Sequence, residues 1–127
     1  MTQQDAIHYW KTLAEETAET ARYNANEHPE WAFFLWHLAI EKALKGLIVK
    51  HDAVPPPIHD LEKLAAIAGI APTPDQQDSL KEISTFAIEA RYDDHKRSYY
   101  KKVTKAQYTL MWLPICEEVY TWLKNLI

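Results

Sequence analysis

Ile7, Trp10, Ala14, Thr17 and Ala21 follow one another at three- and four-residue steps, a spacing that predicts a first helix running to about Glu27. Glu15, Glu16, Glu19 and Arg22 fall mostly off that stripe. Thr2 begins the helix, and Asp5 is placed to interact favourably with its start. Pro29 suits an early position of a second helix, where its missing N–H is not needed. From Trp31 to Lys50 the pattern is apolar almost all the way round, which predicts a central helix covered by several neighbours. One line of polar residues interrupts it. His37, Glu41 and Lys45 stand at successive i+4 steps and share one side.

Val54-Pro55-Pro56-Pro57 cannot continue a helix. A short third helix follows, roughly His59 to Ala68, with Leu61, Leu64 and Ala65 inward and Gly69 as its stop. Thr73, Pro74 and Gln76 supply a cap, a first-position proline and a capping-box partner for a fourth helix. That helix carries Leu80, Ile83, Ala87 and then Arg91 on one face, so Arg91 is expected at the end of a core-facing stripe. Tyr92 to Val103 reads as a loop. Thr104 and Gln107 form a second capping box opening a final helix to about Asn125. Tyr108, Trp112, Ile115, Val119, Trp122 and Leu126 make a heptad-like seam on it, bent by Pro114. Five helical segments with short connections predict an all-α fold: an antiparallel up-and-down four-helix bundle with an additional short helix, one domain over residues 1–127.

Composition changes this picture little. Apolar residues make up 47% and charged residues 25%, an ordinary globular balance. The single cysteine, Cys116, excludes an intrachain disulfide and is expected to be buried in the last helix. The segment MTQQDAIHYW lacks the basic and apolar regions of a secretory signal, and the Trp31–Ile40 run is too short to span a bilayer. A soluble cytoplasmic protein is the expectation. Charge is more informative. The net charge is −4, yet Arg91 to Lys105 holds six basic residues and two acidic ones. A positive patch on an acidic body points to an anionic partner at one place.

Three segments in order resemble the HEPN domain family. Trp36-His37-Leu38-Ala39-Ile40-Glu41-Lys42-Ala43-Leu44-Lys45-Gly46-Leu47 is similar to that family's second-helix signature, roughly QQAxEKALKALL. Pro57-Ile58-His59-Asp60-Leu61-Glu62-Lys63-Leu64 resembles its P-x-H-D-L-x-x-L segment, and Ala90-Arg91-Tyr92 resembles the ARYP that closes its fourth helix. The similarity spans about residues 8 to 125. It implies a four- or five-helix bundle, commonly a homodimer, often the toxin half of a toxin–antitoxin pair with a minimal nucleotidyltransferase as antitoxin. Many members are metal-independent ribonucleases built on an R-x(4–6)-H motif whose two copies meet across the dimer. Here Arg91 and His95 form R-x3-H, one residue shorter, and no histidine follows.

The candidate chemistry is therefore phosphate chemistry. Arg91 would grip a phosphate in a bidentate manner and stabilise developing charge, with His95 as general acid or base. In the alternative reading Arg91 pairs with Glu41 or a carbonyl and His95 is only a loop residue. His37, Glu41 and Lys45 would line a groove near Arg91, Lys45 binding phosphate and Glu41 orienting Arg91, or would form an internal ion pair that sets helix register. Tyr92, Lys96, Arg97, Lys101 and Lys102 combine phosphate-binding cations with rings able to stack on unpaired bases, a composition that also suits a plain solvated loop or a surface for an acidic protein. His59 and Asp60 are expected to cap the third helix. No metal or cofactor is expected: His37 and Glu41 supply two ligands without a third, and Walker, dinucleotide-binding, CxxC and nucleophile-elbow motifs are absent. Three classes of function remain: a nucleotide- or RNA-binding protein, catalytic or not, a protein-interaction adaptor, and a bare dimeric scaffold with neither activity.

Overall fold

The computed structural model describes residues 1–127, and it is helical throughout with no strand. Helix α1 spans Gln3–Asn24. Thr2 caps it through a reciprocal box: the Thr2 hydroxyl accepts from the Asp5 N–H at 3.0 Å, and the Asp5 carboxylate accepts from the Thr2 N–H at 3.1 Å. Helix α2 spans Pro29–Lys50 with Pro29 in its first turn. Helix α3, Leu61–Ile67, is shorter than expected; Asp60 is its cap, taking the Lys63 N–H at 3.1 Å. Gly69 beyond it has φ 74°, a left-handed conformation that a side chain would strain. Helix α4, Pro74–Glu89, opens with the expected Thr73–Gln76 box.

The segment expected as a loop contains a further helix, α5, Ser98–Val103, so six helices form rather than five. Its free N–H groups are satisfied from the preceding turn: Asp93 accepts from Tyr99 N at 2.9 Å and Tyr100 N at 3.3 Å. The second expected capping box does not form. Thr104 closes α5, its hydroxyl donating to the Tyr100 carbonyl at 2.6 Å, and Lys105 occupies the start of α6, Ala106–Lys124, without a side-chain cap.

Helix α2 packs against all five others and carries the largest share of the core. Its closest partner is α1, whose buried residues are Ala14, Ala18 and Ala21. Small side chains let the two axes approach. At Gly46 an added Cβ would lie 3.2 Å from the Trp10 Cβ, a tight contact that α1 would have to yield to by a few tenths of an ångström. On α6 the buried stripe is Cys116, Val119, Tyr120 and Leu123. Of the predicted seam only Val119 is buried; Trp112, Ile115 and Trp122 are half-buried along an α4–α6 groove of about 750 Å³, Tyr108 is half-buried against Phe33 and Phe86, and Leu126 is exposed. Leu80, Ile83, Phe86 and Ala87 complete the core from α4. Burial holds the Cys116 thiol well above its ordinary range and hence protonated. No helix is long and apolar enough to cross a membrane.

Candidate functional site

Two polar regions lie along α2 and beside its beginning, and they differ in how their charges are satisfied. The first is the expected line His37, Glu41 and Lys45, all buried. Lys45 Nζ donates to Glu41 Oε2 at 3.0 Å, and His59 Nδ1 donates to Glu41 Oε1 at 2.7 Å. His37 Nε2 donates to the His59 carbonyl at 3.0 Å. His59 thus does not cap α3; it ties the segment after the prolines to α2. Burial holds the His37 pKa below its usual value, and the Arg91 charge adds in the same direction. The ring is accordingly neutral with its proton on Nε2, and its buried Nδ1 has no partner. Trp10 closes the far end, its ring 5.9 Å from Lys45 Nζ. No group of three or more His, Cys, Asp or Glu side chains is arranged to hold a metal ion.

The second region is the turn after α4 together with α5. Arg91 is not at the end of a buried stripe. α4 ends at Glu89, and Arg91 lies in the following turn, exposed. Its guanidinium sits 5.6 Å from the Phe34 ring, one helical turn before His37 on α2. Arg91 and Glu41 do not pair; Glu41 is engaged by Lys45 and His59. Proximity to His37 along α2 is the part of the expected arrangement that the fold brings together.

His95, Lys96, Arg97 and Lys101 are exposed, as is Tyr92. The two acids of the segment are used locally. Asp93 caps α5, and Asp94 accepts from Lys96 N at 3.0 Å and from the Ser98 hydroxyl at 2.9 Å. Those hydrogen bonds, chiefly from Ser98, hold the Asp94 carboxyl below the usual carboxylate range. They also brace Arg97, whose φ of 57° is left-handed, and its guanidinium stacks 3.8 Å from the Tyr100 ring centre. Lys102 is separated from the other cations: it pairs with Glu82 at 3.1 Å and Glu89 at 3.2 Å. Arg91, Lys96, Arg97, Lys101 and Lys105 have no ion-pair partner.

Sequence reasoning missed two things here. The His59–Glu41 link joins residues far apart in the chain and has no local signal. Trp31 opens the apolar run of α2 in the sequence pattern, yet its side chain is exposed.

Comparison with known proteins adds one finding. The family model described as HEPN domain matches residues 7–126. No curated protein and no solved structure gives a significant match.

Proposed function

The chain belongs to the HEPN domain family, and on that footing we propose that it binds the phosphates of RNA or of a nucleotide through Arg91, Lys96, Arg97 and Lys101. One observation carries the reading. The acids beside these cations spend their hydrogen bonds on backbone N–H groups, Ser98 and Lys102, and none of them forms an ion pair with Arg91, Lys96, Arg97 or Lys101, whose donors face solvent. Exposed cations of that kind gain most from a multivalent anion that releases counterions on binding. Tyr92 offers a ring beside them. Lys102 holds α4 and α5 together, and of the buried line on α2 His37 is the member near enough to feel the Arg91 charge.

Catalysis uses the same surface. Arg91 binds the non-bridging oxygens of a phosphodiester. His95 takes the proton of the 2′-hydroxyl while that oxygen forms a bond to phosphorus. The bond to the 5′-oxygen breaks, and water gives a proton to the departing 5′-oxygen, leaving a cyclic phosphate and a free 5′-hydroxyl. The chain acts as a homodimer and as the toxin half of a pair with a nucleotidyltransferase antitoxin, as its family resemblance implies.

The test is incubation of the purified protein with RNA in EDTA. Cleavage that disappears in Arg91→Ala and in His95→Ala supports the nuclease. Binding without cleavage supports the second reading, a non-catalytic binding module, which the shortened R-x3-H spacing favours. Absence of both binding and cleavage overturns the proposal. A nucleotidyltransferase encoded next to this gene and co-purifying with the chain supports the pairing; a chain that purifies alone beside unrelated neighbours counts against it.

A further inference from the structure

Trp31 is the one tryptophan of five whose side chain is exposed, at 59%. It stands in the first turn of α2, and its ring meets Phe34 edge-on with centroids 6.5 Å apart. Phe34 carries the Arg91 guanidinium 5.6 Å from its ring centre. The cationic helix α5 is tethered to the same place: the Tyr99 hydroxyl donates to the Glu30 carbonyl at 2.6 Å, one residue before Trp31. Glu30, the acid at this end of α2, faces His28 at 3.5 Å. An exposed indole, a second ring behind it and unpaired cations therefore meet at one corner of the fold.

Resting on the phosphate-binding reading above, we infer that Trp31, backed by Phe34, forms a stacking platform for an unpaired base of single-stranded RNA whose phosphates lie on Arg91 and α5. A purely apolar occupant would leave Arg91 and its neighbours desolvated without partners, which is costly. A ligand that is anionic alone would leave the indole in water. A nucleotide unit supplies an aromatic face and a phosphate together, and base–aromatic stacking suits any base.

Fluorescence anisotropy with 2′-O-methyl RNA, which cannot be cleaved through a 2′-hydroxyl, tests this. Two strands of equal length are compared, one with bases and one abasic, against wild type, Trp31→Ala and Trp31→Phe. The expected result is that wild type binds the base-bearing strand roughly five- to a hundredfold more tightly. Trp31→Ala removes that preference without changing the salt dependence, and Trp31→Phe keeps most of it. Thermal unfolding checks that each variant folds. Equal affinity of wild type for the two strands overturns the platform and leaves the phosphate reading standing. Failure of both strands to bind at low salt overturns both. An unchanged preference in Trp31→Ala accompanied by loss of self-association assigns Trp31 to a contact between copies and overturns the inference.

Discussion

The buried line on α2 and the exposed segment from Arg91 to Lys105 are both rich in charge, and they solve opposite problems. In the first, every formal charge meets a partner inside the bundle: Glu41 is held by Lys45 and His59, and His37 is neutral. In the second, the carboxylates turn inward to the backbone and the cations face water. A charge on an apolar helix attracts notice because burial is expensive, yet here the expense is met within the molecule by neighbours. The cations without partners lie in the less conspicuous turn. The lesson is to ask where each charge's counter-charge is, before asking how unusual its position looks.

The comparison breaks most visibly at Glu41. Glu41→Ala leaves the Lys45 ammonium buried without its acceptor, and a loss of about 3–5 kcal/mol is expected, read as a lower urea midpoint. Arg91→Ala should leave stability within about 0.5 kcal/mol of wild type, because the side chain is exposed and makes no ion pair. A large stability loss in Arg91→Ala, or none in Glu41→Ala, would erase the distinction between the regions. Next in size, Arg91→Ala should weaken RNA binding roughly ten- to a hundredfold, the loss of a charge-assisted contact. Lys45→Met should leave RNA affinity within about twofold, since its ammonium is spent on Glu41.

The buried line also predicts a pH dependence. His37 has a depressed pKa in the fold, so the unfolded chain binds its proton first as pH falls. Stability attributable to His37 is intact above about pH 6.5 and is lost below it, with a slope of at most about 1.4 kcal/mol per pH unit. Stability measured between pH 7 and 5 should fall less steeply in His37→Gln. The smallest effect belongs to Lys101→Ala, expected to weaken RNA binding by a few-fold with unchanged stability. Equal titration of both proteins, or a Lys101 effect exceeding that of Arg91, would redraw the map.

Much of the fold was legible because its signals are local. Thr2 with Asp5 and Thr73 with Gln76 lie three residues apart and cap what they were expected to cap. The all-round apolarity of α2 marked it as central, and the i+4 step from Glu41 to Lys45 carried their ion pair. Thr104 misled because its hydroxyl serves the helix it ends, a choice that depended on α5 being present. Helix α5 itself escaped notice because its cap, Asp93, sits five residues upstream of its start. The final helix was shifted in its facing because Tyr120 and Cys116 are chosen by what α1 and α2 present, and periodicity along α6 alone cannot supply that. The site divides the same way. The cations of residues 91–101 could be counted in the sequence, but which of them are neutralised is decided by contacts such as Lys102 with Glu82 and Glu89.

The central claim is that the unpaired cations of residues 91–101 form the anion-binding surface and the buried line does not. The salt dependence of single-stranded RNA binding measures it most directly. Each phosphate contact contributes about 0.7 to the slope of log affinity against log salt. Wild type should show a slope of about −3 for four contacts, and Arg91→Ala/Lys96→Ala/Arg97→Ala about −0.7, while Lys45→Met matches wild type. A slope that the triple variant leaves unchanged, or that Lys45→Met flattens, would contradict the account.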